Sequence, residues 1–233
     1  MILFALIVAA TPWLSMPSDD RAKSIVELRG EPLSQRFVAA SERFLGTPYR
    51  VSPLGEASGR DVDPLIRWDA VDCVTLVEEA MAVALVAGQS NAANDSNVVN
   101  TLNFIRYAAD QQPSWTARQH IMEAQWLPGN VKKGLIRDVT REIGESDTRR
   151  ISKKYDDLTW KGASASALAL PATARPMGDF ELDIIASHAL IARLQKAPSG
   201  LIVLVVRRDR VDLITRVSHV GILIQTPKGP RLR

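Results

Sequence analysis

The chain has 233 residues, of which 46% are hydrophobic and 24% charged, enough to bury one sizeable core. Its 29 basic and 26 acidic residues are scattered, with a formal net charge of +3, and no long basic run favours nucleic-acid binding. Mild basicity would also suit an anionic polymer, because long-range attraction raises encounter rates. The single cysteine excludes an intramolecular disulfide and argues against a structural metal site.

An apolar stretch without charge opens the sequence, from Met1 to Met16. It is too short to span a bilayer, so residues 1–17 predict a signal-like leader rather than a stable membrane anchor. Export to the periplasm or cell envelope follows from that interpretation. A positive n-region is missing and Pro12 lies close behind two alanines, so the cleavage site is open. The alternative is an N-terminal helix or strand packed into the core.

Helical spacing of apolar residues predicts a first helix after Pro32, ended by Gly46. Residues 47–71 contain three prolines and two glycines, which predicts a long loop, and loops of this length often carry function. A third helix is expected near residues 102–109. Residues 161–178 are rich in Ala, Ser and Pro and predict a flexible segment.

A second helix is predicted to run from Cys73 to Gly88, with Glu78 and Glu79 outside its apolar stripe. Asp72 is a good N-cap residue, so the Cys73 sulfur would lie in the first turn, where the positive end of the helix dipole favours a thiolate. The alternative is that Cys73 fills the core, since free cysteine is among the most buried residue types.

Strand-like sequence dominates the last third, where 201–206 and 211–225 predict an antiparallel pair. A turn at 227–230 follows, only three residues before Arg233, so a further strand is expected to be cut short. Helices in the first half and strands in the last third indicate the α+β class, with 30–233 as a single domain truncated at its C-terminal strand.

A cysteine hydrolase needs a thiolate, an imidazole within hydrogen-bond reach and a polar group that orients the imidazole. His219 lies on the second predicted strand, far along the chain from Cys73, as is typical of cysteine nucleophiles. By spacing alone this signal is weak. A strand histidine satisfied by its neighbours is the alternative, and His188 is assigned to a structural or surface role.

Three blocks of sequence, taken in order, resemble the signatures of NlpC-type papain-like peptidoglycan hydrolases: GTPYRVSPL (46–54), DCVTLVEE (72–79) and SHVGILI (218–224). The stretch 117–140, which contains ARQHIMEAQWLPGN and GLIRDVT, is similar to the N-acetylmuramoyl-L-alanine amidase-like branch. The resemblance implies a papain-like α+β fold in which the nucleophile-bearing helix packs on a C-terminal antiparallel sheet.

The resemblance also implies residue roles. Cys73 would be the nucleophile, His219 the general base, Tyr49 a residue lining the site and Asp72 the cap that orients the helix. Chemistry would be acyl transfer without cofactor or metal. The family's third residue, which orients the imidazole, would follow Arg233. Its absence from this sequence is expected to reduce activity.

Four residues of the middle stretch are predicted to support substrate binding: Arg118, His120, Trp126 and Asn130. A guanidinium can pair with a stem-peptide carboxylate, and an indole can pack against sugar or peptide. The alternative is a loop held by its own hydrogen bonds.

By the resemblance, the substrate is peptidoglycan or its muropeptide fragments, cut between N-acetylmuramic acid and L-alanine. A stem-peptide endopeptidase of the same family and a non-catalytic cell-wall binding domain remain alternatives. The sequence leaves the oligomeric state open.

Overall fold

The computed structural model describes residues 10–89, 93–109 and 111–233. The helices are α1 (Ser18–Glu27), α2 (Leu33–Glu42), α3 (Cys73–Ala87), α4 (Asp95–Arg106), a π-helix (Met122–Trp126), α5 (Leu127–Lys132), α6 (Thr140–Gly144), α7 (Ala163–Leu168) and α8 (Leu190–Lys196). The strands are β1 (Thr148–Tyr155), β2 (Gly178–Ile185), β3 (Ile202–Val206), β4 (Val217–Thr226) and β5 (Gly229–Leu232). Helices and small antiparallel sheets confirm the α+β class.

The main core surrounds α3, and most of the residues of this helix are buried. Helices α1, α2 and α4 pack against it, and the apolar face of β3 and β4 joins the same cluster. Helix α3 begins at Cys73 and its C-cap is Gly88, as predicted. Helix α4 begins earlier than expected, because Asn94 caps it by accepting a hydrogen bond from the Asn97 N–H at 2.8 Å.

The three-stranded sheet has the antiparallel order β3-β4-β5. The predicted pairing of 201–206 with 211–225 is confirmed, although the strand of the second segment begins only at Val217. After the predicted turn, Gly229–Leu232 forms a short strand, β5, which pairs with β4; the expectation that the C-terminal strand is truncated stays a prediction. The sequence predicted only the turn, because Pro230 and the basic residues around it have a low strand propensity.

A second, smaller core lies under the two-stranded sheet of β1 and β2. Trp160, Ala165 and Leu170 contribute side chains to this core. The expectation of a flexible segment at 161–178 is therefore wrong, since short helices in it bury apolar side chains against the β1–β2 sheet. Trp160, Ala165 and Leu170 do not follow a helical period, so their burial depends on partners distant in sequence.

The predicted leader falls partly on residues 1–9, which lie outside the described residues. Within the same stretch, Trp13 and Met16 are buried in the main core, and the Trp13 indole donates to the Ala40 carbonyl at 2.9 Å. The packed core thus extends upstream of residue 30, which favours the alternative interpretation for residues 10–17. Across the described ranges, no helix is long and apolar enough to cross a membrane.

Candidate functional site

The N-terminus of α3 presents Cys73 in its first turn, partly exposed. The Asp72 carboxylate accepts hydrogen bonds from the N–H groups of Val74 at 3.0 Å and Thr75 at 2.8 Å. In return the Thr75 hydroxyl accepts from the Asp72 N–H at 2.8 Å, which completes a capping box. The cap fixes where the helix begins, and it places the thiol at the positive end of the helix dipole.

The loop that precedes the helix is attached to the same carboxylate. The second oxygen of Asp72 accepts from the Ser52 N–H at 3.1 Å, and Tyr49 forms an isolated bridge with Val71. Tyr49 is 65% exposed, yet local burial raises the pKa of its phenol, and the nearby Cys73 and Asp72 add to the rise. Ser52 adopts a left-handed conformation, with φ 48°, which is unfavourable for a non-glycine residue. Asp72 therefore holds the Tyr49 loop beside Cys73.

A β-bulge presents His219. Val205 pairs with His219 but Val206 pairs with Val217, so Ser218 is an extra residue in β4. The Ser218 hydroxyl donates to the Val205 carbonyl at 3.0 Å. Ser218 and His219 are both exposed, while Val217 and Val220 are buried in the main core. The bulge keeps the core face in register and leaves the imidazole accessible.

Cys73 and His219 thus lie on elements that pack together, since α3 and β4 contribute to one core. Among the described residues, no hydrogen bond joins the thiol to the imidazole, and no side chain bonds the imidazole as an orienting partner. The structure brings Tyr49, Asp72 and Cys73 together, and it places His219 on the neighbouring strand.

Arg118 is turned inward rather than toward a cleft. Its guanidinium contacts Glu56 at 2.6 Å and Asp61 at 2.8 Å, and only 13% of the side chain is exposed. Burial opposes the charge, but the two carboxylates outweigh it and raise the Arg118 pKa. This arrangement favours the alternative interpretation, a loop held by its own bonds, over a free substrate-binding guanidinium.

His120 is also engaged within the chain. Its Nε2 hydrogen-bonds with the Trp115 carbonyl at 2.7 Å, and its ring lies 4.3 Å from the Trp115 ring. Burial, together with the positive charges of Arg118 and Arg106, lowers the pKa of His120 to about 4. The imidazole is therefore neutral at neutral pH.

Trp126 and Asn130 are buried, with 2% and 0% of their surfaces exposed. The Trp126 indole donates to Glu78 at 2.8 Å, and the Asn130 amide donates to the Trp126 carbonyl at 2.9 Å. Neither side chain is positioned to touch a sugar or peptide on the surface. Trp126 thus contacts α3 through Glu78, and Asn130 contacts α3 only through Trp126; the substrate-binding role predicted for the four middle-stretch residues stays a prediction.

Glu78 and Glu79 lie on α3 and are buried, although the sequence placed both outside its apolar stripe. Glu78 contacts Arg106 at 3.2 Å, and Glu79 accepts from the Arg67 N–H at 3.2 Å. Burial raises the pKa of Glu78 and raises that of Glu79 well above its ordinary value. No local signal could reveal these partners, which are distant in sequence.

An apolar cavity of about 970 Å³ lies between β2 and β3 and includes neither Cys73 nor His219. Within the described ranges, no group of three or more His, Cys, Asp or Glu side chains is arranged to hold a metal ion.

The fold is similar to that of solved bacterial proteins. A Legionella pneumophila protein shares 21% identity, with a TM-score of 0.75 over 93% of this chain and 82% of its own. An N-acetylmuramoyl-L-alanine amidase from Bacteroides uniformis shares 24% identity, with a TM-score of 0.62 over 86% of this chain and 84% of its own. No curated protein matches the sequence.

The family comparison is more direct. Residues 39–233, most of the chain, match the AmiA-like family, described as N-acetylmuramoyl-L-alanine amidase-like. The similarity expected for 117–140 to this branch is thereby confirmed, while the NlpC-type relation stays a prediction. The chain belongs to the AmiA-like, N-acetylmuramoyl-L-alanine amidase-like family of hydrolases.

Proposed function

We propose that this protein is a cysteine-dependent amidase of the cell envelope, with an NlpC-type papain-like arrangement, that hydrolyses peptidoglycan between N-acetylmuramic acid and L-alanine. The observation that carries the proposal is the partly exposed Cys73 thiol at the capped N-terminus of α3. A thiol in this position combines access with a favourable helix dipole, which a cysteine that only fills a core does not need.

The mechanism is acyl transfer. His219 takes the thiol proton, and the Cys73 sulfur attacks the lactyl carbonyl carbon of the muramic acid. The amide bond breaks, the L-alanine nitrogen leaves with a proton from the imidazole, and a thioester remains. Water then hydrolyses the thioester and restores the thiol.

The oxyanion of the tetrahedral intermediate needs donors fixed in advance. The cap uses the N–H groups of Val74 and Thr75, and the Tyr49 hydroxyl lies within hydrogen-bond reach of the Cys73 N–H. That group is the donor we assign to the oxyanion, with Tyr49 beside it at the rim. Hydrogen bonds between nucleophile and base are often long before substrate binds and tighten in the complex, so we expect the thiol–imidazole contact to form then.

The family description supports the choice of the scissile bond, and so does the name of the Bacteroides uniformis structure, an N-acetylmuramoyl-L-alanine amidase. Mild basicity, with a formal net charge of +3, favours encounter with an anionic polymer. Muropeptides and peptidoglycan are the proposed partners, and no cofactor is required by acyl transfer.

Two other functions predict different products. An endopeptidase would cut between D-glutamate and the diamino acid, leaving N-acetylmuramyl-L-alanyl-D-glutamate. A non-catalytic wall-binding domain would retain muropeptide without changing its mass.

The test is incubation of N-acetylmuramyl-tripeptide with wild type, Cys73→Ala, His219→Ala and His188→Ala, with products weighed by mass spectrometry. His188 is a matched control, since it is an exposed histidine outside the site. We expect wild type and His188→Ala to release intact tripeptide. Loss of the nucleophile should lower kcat/KM by about 10³-fold or more. Equal turnover by Cys73→Ala would refute cysteine catalysis. A muramyl-dipeptide product would show that the protein is an endopeptidase and not an amidase.

A further inference from the structure

Glu123 is a buried carboxylate with both oxygens bound to the segment that leads into β4. It lies in the π-helix and is 3% exposed. One oxygen accepts from the Arg216 N–H at 2.5 Å, and the other accepts from the Thr215 hydroxyl at 2.5 Å. These short contacts join the π-helix to residues three and four positions before His219.

The hydrogen bonds of Glu123 extend through Thr215 to the residues just before His219. The Thr215 hydroxyl oxygen also accepts from the Val217 N–H at 3.1 Å. Val217 is the last residue before the bulge at Ser218, so the carboxylate fixes the backbone where the bulge begins. Because a bulge redirects the side chains beside it, the position of this backbone sets the direction of His219.

The π-helix itself supports a specific role. Such helices cost hydrogen-bond quality and occur mostly as single turns, often at functional sites. A buried carboxylate is also expensive unless its oxygens are satisfied by donors. An apolar residue in its place would leave the Arg216 N–H and the Thr215 hydroxyl without this acceptor.

We infer that Glu123 is a positioning residue, which acts through Thr215 and Val217 to aim His219 at Cys73. This inference rests on the proposed function for the roles of Cys73 and His219. It assigns no contact with substrate to Glu123 itself.

A double-mutant cycle on the alkylation of Cys73 by iodoacetamide tests the inference without using hydrolysis. Glu123→Gln replaces an acceptor oxygen with a donor group that faces a donor. If Glu123 acts through His219, Glu123→Gln should slow alkylation at pH 7 about tenfold when His219 is present. It should have no effect when His219 is replaced by Ala.

Two further variants keep the test sharp. Glu79→Gln is the matched control, because it changes a buried glutamate on α3 that contacts Arg67 rather than the His219 segment. It should leave the alkylation rate unchanged. Thr215→Val keeps the shape but removes the hydroxyl that joins Glu123 to Val217, and it should act like Glu123→Gln. It decides the question if Glu123→Gln fails to fold.

Equal effects of either variant with and without His219, or no effect at all, would overturn the positioning role. The outcome is separate from that of the muropeptide assay. Coupling between Glu123 and His219 in a protein that hydrolyses nothing would support positioning and refute the proposed reaction. Hydrolysis that depends on Cys73, together with no coupling, would do the reverse.

Discussion

The N-terminus of α3 and the segment from Arg118 to Asn130 are both rich in groups that can bind or react. At the helix terminus, Tyr49 is exposed and Cys73 is partly exposed, while Asp72 uses its carboxylate to hold the backbone around them. In the 118–130 segment, the polar groups are turned inward and mostly paired with side chains from other parts of the chain or with main-chain carbonyls. Pairing and burial, rather than residue type, distinguish the proposed reactive site from the 118–130 segment.

The largest effect on stability is expected from Arg118→Met, which tests whether that segment is support. Removing one partner of a buried ion pair leaves Glu56 and Asp61 as unpaired buried charges, so unfolding free energy should fall by about 3 to 5 kcal/mol. Activity per folded molecule should change little. Chemical denaturation and kcat/KM on N-acetylmuramyl-tripeptide measure the two quantities.

Arg137→Met is the matched control for that change. Arg137 forms an ion pair with Glu142 in which both side chains are more than half exposed, so its loss should leave stability almost unchanged. If Arg118→Met instead kept full stability but lost kcat/KM, Arg118 would belong to substrate binding after all.

The next effect concerns His120 and pH. Burial lowers its pKa to about 4 from the ordinary value of 6.5. Between these values the unfolded chain binds a proton that the folded chain does not, so stability should fall as pH drops from 6.5 to 4. The loss should approach about 3 kcal/mol. Denaturation midpoints measured across this range would show it.

The comparison variant is His120→Gln, whose amide can still donate to the Trp115 carbonyl but does not titrate. The wild-type curve contains carboxylate titrations as well, so the difference between the two curves isolates His120. Parallel curves for wild type and His120→Gln would show that His120 is not buried in its neutral form.

The smallest effect on stability, but a large one on activity, is expected from Asp72→Ala. Loss of an N-cap costs about 1 kcal/mol. It also frees the Ser52 loop and the start of α3, so kcat/KM should fall by much more than the stability loss alone explains. Asn94→Ala removes the cap of α4 and provides the control, with a similar stability loss and unchanged kcat/KM. Equal activity loss in both variants would mean that caps act only through global stability.

Local signals predicted the parts of the molecule that are determined locally. The start of α3 followed from an N-cap residue before an apolar stripe, and β3 from a continuous apolar run. The burial of Glu78, the inward turn of Arg118 and the contacts of Glu123 depend on partners more than 25 residues away. A single sequence contains no local pattern that fixes such contacts, so these features were missed.

The bulge in β4 has a consequence for insertions and deletions. Val217 and Val220 face the same core although three positions separate them, and only the extra residue between them makes this compatible with strand alternation. Deletion of Ser218 would give a regular strand in which Val217 and Val220 still face the core and His219 still faces away, but without the bend and extra twist that the bulge adds beside His219. Substitution of Ser218, which is exposed, disturbs far less. The extra residue therefore sets the local twist of the strand beside His219, and not which face each side chain occupies.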